Sequence, residues 1–173
     1  ALPADIKWVR GWDLAATAKG GDYTVGAKVG VKDGIAYIAD IRREQGSPDE
    51  VEKLIVSTAK MDDCLQSIPQ DPGAAGKSVV AYLSKKLQGA RFEFSPETGD
   101  KATRAEPLAA QINVGNVKML KAPWNEVLSH ELASFPMGAH DDIVDALSRA
   151  YNATITNQNQ MMGLMMHKRK RVR

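Results

Sequence analysis

Apolar and polar positions alternate through the first third of the chain. Trp8, Val9, Trp12 and Leu14 fall in a mixed apolar run from Lys7 to Ala15. Val25, Ala27, Val29 and Val31 then repeat with period two between Tyr23 and Val31, the spacing that places side chains on one face of a strand. Lys32-Asp33-Gly34 follows, and Asp-Gly is a strong signal for a tight hairpin. Ile35 to Ile41 should therefore run back as a third strand. Ser47-Pro48-Asp49-Glu50 changes the period: Ser47 can cap, Pro48 suits a first helical turn, and Glu50 completes a capping box. Val51, Leu54, Ile55, Thr58 and Ala59 carry that helix to about Leu65.

Shorter elements alternate beyond this point. The pattern predicts a strand near Ser67-Ile68, a helix from Gly76 to Leu87 with Val79, Val80 and Leu83 inward, and a strand from Arg91 to Phe94. Ser95 to Arg104 is polar, with Pro96, Gly99 and Asp100, and reads as a surface loop. Ala105 to Ile112 is predicted helical, Val117 to Leu120 a strand, and Trp124 to Ala133 a helix. Ile143, Val144, Leu147 and Ala150 give a final helix from Asp141 to Thr154. Three opening strands followed by alternating helices and strands predict an α/β fold, a mixed sheet with helices on its faces.

Composition adjusts this picture only slightly. With 173 residues, 43% of them hydrophobic, the chain can fill one core. The expected division is a domain over 1–156 and a flexible basic tail over 157–173, ending His167-Lys168-Arg169-Lys170-Arg171-Val172-Arg173. A net charge of +2 does not by itself mark a nucleic-acid binder. The single cysteine, Cys64, excludes an intramolecular disulfide framework and reads as a small structural thiol. No apolar run approaches the ~18 residues of a membrane span and no signal peptide is visible, so a soluble protein of a reducing compartment is expected.

The candidate chemistry is acidic. Gly11-Trp12-Asp13-Leu14-Ala15, Gln70-Asp71-Pro72-Gly73 and His140-Asp141-Asp142-Ile143-Val144-Asp145 each stand where an element begins or ends. Asp13 interrupts an apolar stretch, and an unpaired buried carboxylate is expensive; it could equally face water while Trp12 and Leu14 point inward. Asp71 could belong to an ordinary Asp-Pro-Gly turn. Asp141, Asp142 and Asp145 could complement a helix dipole, but Asp142 and Asp145, three apart, share one helical face and repel unless a cation separates them. Carboxylates from separate elements suit Mg²⁺ or Mn²⁺, which prefer hard oxygen ligands.

In this order the motifs resemble the nuclease domain of viral terminase large subunits, the DNA-packaging motors of tailed phages. The resemblance covers roughly Val9 to Ala153. It also takes in Gly20-Gly21-Asp22-Tyr23-Thr24 and Gly99-Asp100-Lys101-Ala102-Thr103-Arg104-Ala105. It implies a ribonuclease H-like, RuvC-like fold and an endonuclease that cuts concatemeric double-stranded DNA by two-metal phosphodiester hydrolysis. The implied cofactors are two divalent cations, Mg²⁺ or Mn²⁺. Asp13 matches the first-strand ligand, Asp71 the central one, and Asp141 or Asp142 the third catalytic position. Asp145 and Asp22 are further candidate metal ligands. Lys77, Lys101, Arg104 and His140 are candidate DNA contacts, with Lys118 and Lys121 extending the track. The implied partners are double-stranded DNA, a preceding ATPase domain of the same polypeptide, a portal protein and a small terminase subunit. No membrane is involved; the implied place is the host cytoplasm, transiently at the procapsid portal.

Gly73-Ala74-Ala75-Gly76-Lys77-Ser78 imitates a phosphate-binding P-loop, but that loop needs four residues between its glycines and here there are two. Two other readings compete with the terminase nuclease: a RuvC-like resolvase for branched DNA, and a non-catalytic DNA- or portal-docking module.

Overall fold

A computed structural model describes residues 1–15, 21–138 and 140–170. Gly20 of the glycine-containing motif and residues 171–173 of the basic tail lie outside the described residues. Six strands form one sheet: β1 (Trp8–Asp13), β2 (Thr24–Lys32), β3 (Ile35–Glu44), β4 (Leu65–Pro69), β5 (Phe92–Ser95) and β6 (Val117–Met119). Their order is β5-β4-β1-β2-β3-β6. β2 is antiparallel to both neighbours, and every other pairing is parallel. The helices are α1 (Pro48–Met61), α2 (Gly73–Lys86), α3 (Lys101–Asn113), α4 (Trp124–Ser134) and α5 (Asp142–Lys170). The expected α/β class, a mixed sheet flanked by helices, is the architecture observed.

Local chemistry accounts for the opening elements. Asp33 and Gly34 take φ of 52° and 76° between paired Lys32 and Ile35, the left-handed pair that a two-residue hairpin requires. Ser47 caps α1 reciprocally. Its side chain accepts from the Glu50 amide, and its own amide donates to Glu50 Oε2 at 2.7 Å.

Each face of the sheet buries its own core. On one side Val25, Ala27 and Val29 of β2 pack with Ile143, Ala146, Leu147 and Ala150 of α5, joined by Leu108 of α3 and Leu128 of α4. On the other side Trp12, 0% exposed, packs with Ile55 and Ala59 of α1 and with Leu83 and Leu87 of the α2 segment. The Trp12 indole donates to Gln66 Oε1 at 2.9 Å, which satisfies an N–H that would otherwise be stranded. Buried Arg10 points to the same side as Trp12, where it pairs with Asp62 at the end of α1 and with Asp40 of β3.

Several boundaries differ from the sequence expectation. α1 stops at Met61, and Leu65 belongs to β4, paired with Val9. Cys64 is buried just ahead of that strand, where burial raises its thiol to about 11 and keeps it unreactive. α2 begins at Gly73, three residues before the expected start. α3 begins at Lys101, one turn before Ala105. Pro107 suits a first turn because it lacks an N–H, which favours a later start. Asp100 nevertheless caps the earlier one by accepting from the Thr103 amide at 2.7 Å. Lys101 and Arg104 are therefore helical residues and not loop residues. α5 continues to Lys170 in place of an end near Thr154, and Gln158 Nε2 donates to the Val31 carbonyl at 3.0 Å.

α5 lies directly on β1 because Gly11 has no side chain. A Cβ there would stand 2.4 Å from the Ala150 nitrogen and 2.5 Å from the Ala146 oxygen. Both are backbone atoms, so relief requires the helix to move. Gly11→Ala should therefore cost about 1–3 kcal/mol, as overpacking typically does, and lower the melting temperature by about 2–10 °C. Thermal denaturation followed by circular dichroism checks this. An unchanged melting temperature would contradict so close an approach.

Candidate metal centre and its relatives

Asp13 ends β1 on the face opposite Trp12, the face covered by α5. Asp142 and Asp145 occupy the first turn of that helix, so the Gly11 approach brings strand and helix carboxyls together. The Asp13 carboxyl is pushed up to about 8, first by burial and then by the charges of Asp145 and Asp142, with Lys101 opposing. Burial also raises Asp142, aided by the charges of Asp22 and Asp141 and opposed by a hydrogen bond from the Tyr23 amide at 3.2 Å. Asp145 is raised by burial against the pull of Lys101 and Arg104. Three acids near one another, Asp142 and Asp145 buried and Asp13 partly so, thus lack sufficient positive charge.

Two cations of α3 supply part of it. Lys101 Nζ stands 2.6 Å from Asp141 Oδ1 and 3.1 Å from Asp145 Oδ2. Burial works against the Lys101 charge, but these hydrogen bonds outweigh it and hold the ammonium above its ordinary range. Arg104 Nη2 lies 3.2 Å from Asp145 Oδ1, and its Nε pairs with Glu97. Two of the residues expected to contact DNA, Lys101 and Arg104, therefore pair with these acids. Among the described residues, no three His, Cys, Asp or Glu side chains stand close enough together to form a ready-made metal cage. The carboxylates surround the site with the Lys101 ammonium between two of them.

The other candidates sit around this centre. Asp71 is exposed beyond the end of β4 and lines, with Asp13 and Glu97, a cavity of about 650 Å³ between the sheet end, α1 and α2. Gly76 lets α2 pass this point, since a Cβ would lie 1.9 Å from the Asp71 carbonyl oxygen. The P-loop-like segment thus serves close packing. Asp22 is exposed ahead of β2, near enough for its charge to act on Asp142. His140 Nδ1 is 3.9 Å from Asp142 Oδ2, and its ring meets Tyr23 edge-on at 5.9 Å. Lys77 is exposed at the start of the second turn of α2 and is not among the residues lining the cavity. Lys118 and Lys121 are likewise exposed, in and just after β6.

Sequence patterns passed over Glu97 and Arg149. Arg149 pairs with Glu97 and donates to Ser95 Oγ at 2.9 Å and to the Ser95 carbonyl at 3.1 Å. It follows Asp145 by four residues, and that helical spacing was the available signal. Glu97 gave none, because a glutamate in a polar loop looks solvated.

A family model described as the terminase RNaseH-like domain matches residues 10–154. The chain belongs to this family. The matched segment spans β1 to the middle of α5 and contains every acidic candidate. Solved structures agree in fold. The large terminase nuclease from thermophilic phage G20c with bound zinc superposes with a TM-score of 0.67 at 22% identity, covering 87% of this chain and 82% of that one. The same nuclease with bound magnesium gives a TM-score of 0.66 at 19% identity, with the same coverage. The manganese-soaked, inhibitor-bound human cytomegalovirus terminase nuclease domain gives 0.63 at 17%, covering 86% and 82%. A comparison with curated protein sequences found no match. The expected resemblance to terminase nucleases and the ribonuclease H-like fold are thus both established for this terminase domain.

The raised Asp13 carboxyl has a consequence for stability. The unfolded chain titrates this group in the ordinary carboxylate range, so folding favours its protonated form. That contribution is complete at low pH and is lost as pH rises through about 8. In EDTA the melting temperature of the wild type should fall between pH of about 5 and about 9 more steeply than that of Asp13→Asn, leaving the variant the more stable at the alkaline end. Parallel melting curves would show that Asp13 is not buried among like charges.

Proposed function

We propose that this terminase domain is a metal-dependent endonuclease that cuts concatemeric double-stranded DNA during viral packaging, using two divalent cations. The observation that carries the reading is the gathering of acids where α5 descends onto β1 at Gly11: Asp13 lies near enough to Asp142 and Asp145 to feel their charge, and the Lys101 ammonium bridges Asp141 and Asp145. Such a site stores an affinity for added cations, and an all-carboxylate donor set suits Mg²⁺ or Mn²⁺. Asp13, Asp142 and Asp145 would hold the ions, with Asp71 and Asp22 approaching from the sheet end and Asp141 exchanging its lysine partner for a cation. Bound there, the ions would supply Lewis-acid stabilisation of phosphate charge and a water acidic enough to attack phosphorus near neutral pH. Related nuclease structures that hold zinc or magnesium, or were soaked with manganese, support divalent-ion use.

The chain's own groups act around that chemistry. The Tyr23 amide and His140 orient Asp142. Lys101 and Arg104 neutralise Asp141 and Asp145 and, on release, are placed to grip the DNA backbone, contacts that bring affinity without reading sequence. Lys77, exposed beyond the cavity, is positioned to steer a more distant phosphate. The preceding ATPase domain, portal protein and small terminase subunit are the partners this function would use, at the procapsid portal in the host cytoplasm.

Plasmid cleavage tests the proposal directly. The protein should cut with Mn²⁺ or Mg²⁺ and not with EDTA. Asp13→Ala and Asp142→Ala should each slow cutting by at least ~100-fold, because the metal's stabilisation amounts to several kcal/mol. A folded protein that never cuts would favour the DNA- or portal-docking module, and unaffected variants would misplace the active site.

The internal ammonium makes a separate prediction. Lys101→Met removes a cation that competes with the metal, so calorimetry should find Mn²⁺ binding tightened by about tenfold, a Coulomb effect of the order expected for one nearby charge. The KM for DNA should rise in the same variant. Unchanged Mn²⁺ affinity would mean that Lys101 lies outside the ion's field.

A further inference from the structure

Glu131 lies on α4, 5% exposed, on the face turned toward α5. A carboxylate so deeply buried is unusual unless it is paired. Its Oε2 accepts from the Ile143 amide at 2.9 Å. Ile143 is the second residue of α5, where N–H groups have no partner within the helix and are normally satisfied by the side chain just ahead of it. Here Asp141 is that preceding residue, yet its Oδ1 is engaged by Lys101. The cap comes instead from another helix, and the acids of the His140–Asp145 motif remain turned toward the centre and not back onto their own backbone.

A second clamp acts on the same turn. The Tyr23 amide donates to Asp142 Oδ2 at 3.2 Å. Arg43 of β3 joins the two clamps: its guanidinium lies 3.2 Å from the centre of the Tyr23 ring, and its Nη2 is 4.0 Å from Glu131 Oε1. Arg43 Nε and Glu131 Oε1 are both buried and have no hydrogen-bond partner among the described residues. Glu131 therefore spends its bonding on the α5 terminus and makes only a loose ion pair with Arg43.

We infer that Glu131 is a positioning residue, which caps α5 from outside so that Asp142 and Asp145 are free to face Asp13. It touches no substrate and acts through the first turn of α5. The inference rests on the metal-nuclease reading proposed above, because the geometry it protects is that of the ion-binding carboxylates.

The test uses the full chain and Mn²⁺. Calorimetry measures binding, and plasmid cleavage gives kcat and KM. Glu131→Gln keeps an acceptor for the Ile143 amide and should bind Mn²⁺ within about threefold of the wild type. Glu131→Leu removes the acceptor and should weaken binding by about 10–100-fold, the range seen when groups orienting metal ligands are lost. At saturating Mn²⁺ its KM for DNA should stay near the wild-type value. Should the leucine variant fail to fold, Glu131→Asp withdraws the acceptor by one methylene and should show the same loss of affinity in a protein of near-normal melting temperature. Wild-type affinity in a folded Leu or Asp variant would overturn the inference alone, as would a Gln variant as impaired as Leu. A folded wild type that binds no Mn²⁺ would overturn the nuclease reading, and this inference with it.

Discussion

The contact between α5 and β1 governs the rest of the structure. A helix normally rides about 10 Å above a sheet on a layer of side chains. At Gly11 that layer is missing, and the backbone around Ala146 and Ala150 comes down onto the strand. The descent puts the first turn of α5 beside the last residue of β1. Without it, Asp13 and Asp145 would belong to separate surfaces. With it, they share one poorly hydrated space and must be stabilised by positive charge.

That requirement organises the surrounding side chains. Lys101 and Arg104 of α3, and Arg149 of α5, pair with Asp141, Asp145 and Glu97 in a continuous chain of opposite charges. Among the described residues no cation pairs directly with Asp13, and its carboxyl retains a proton well above the ordinary range. A buried Arg10 cluster shows the contrast on the other face. There Asp62 receives both Arg10 and Lys28, which overcome its burial and hold its carboxyl below the usual range. Asp62 is thus held charged on one face, while on the other Asp13, Asp142 and Asp145 are raised.

Much of this was legible in the chain itself. The period-two run of β2, the Asp33-Gly34 hairpin and the Ser47 capping box are local signals, and local physics decided all three. The ordered acidic motifs marked strand ends and a helix start, and of their acids Asp13, Asp142 and Asp145 lie near enough to act on one another. Tertiary contacts set what the pattern could not show. The Asp100 cap moved the start of α3 one turn ahead of Pro107, which changed Lys101 and Arg104 from loop residues to helix residues facing acids. Glu131 was the reverse case. A lone carboxylate three residues after Leu128, on the buried side of α4, is a visible anomaly, but its partner is a backbone amide twelve residues away and no periodicity points to it.

Strand pairing adds one more constraint. β1 and β4 are paired only as far as Gly11 and Ser67, although β1 runs on to Asp13 and β4 to Pro69, where β4 stays paired with β5. The two parallel strands therefore diverge over their last residues, and the cavity shared by Asp13 and Asp71 opens in the gap. Open α/β sheets receive ligands at such points, beyond the carboxyl ends of strands. The opening starts where the backbone pairing of β1 and β4 stops, while α1 and α2 side chains line its walls, so its position belongs to the sheet and its lining to residues that can be exchanged.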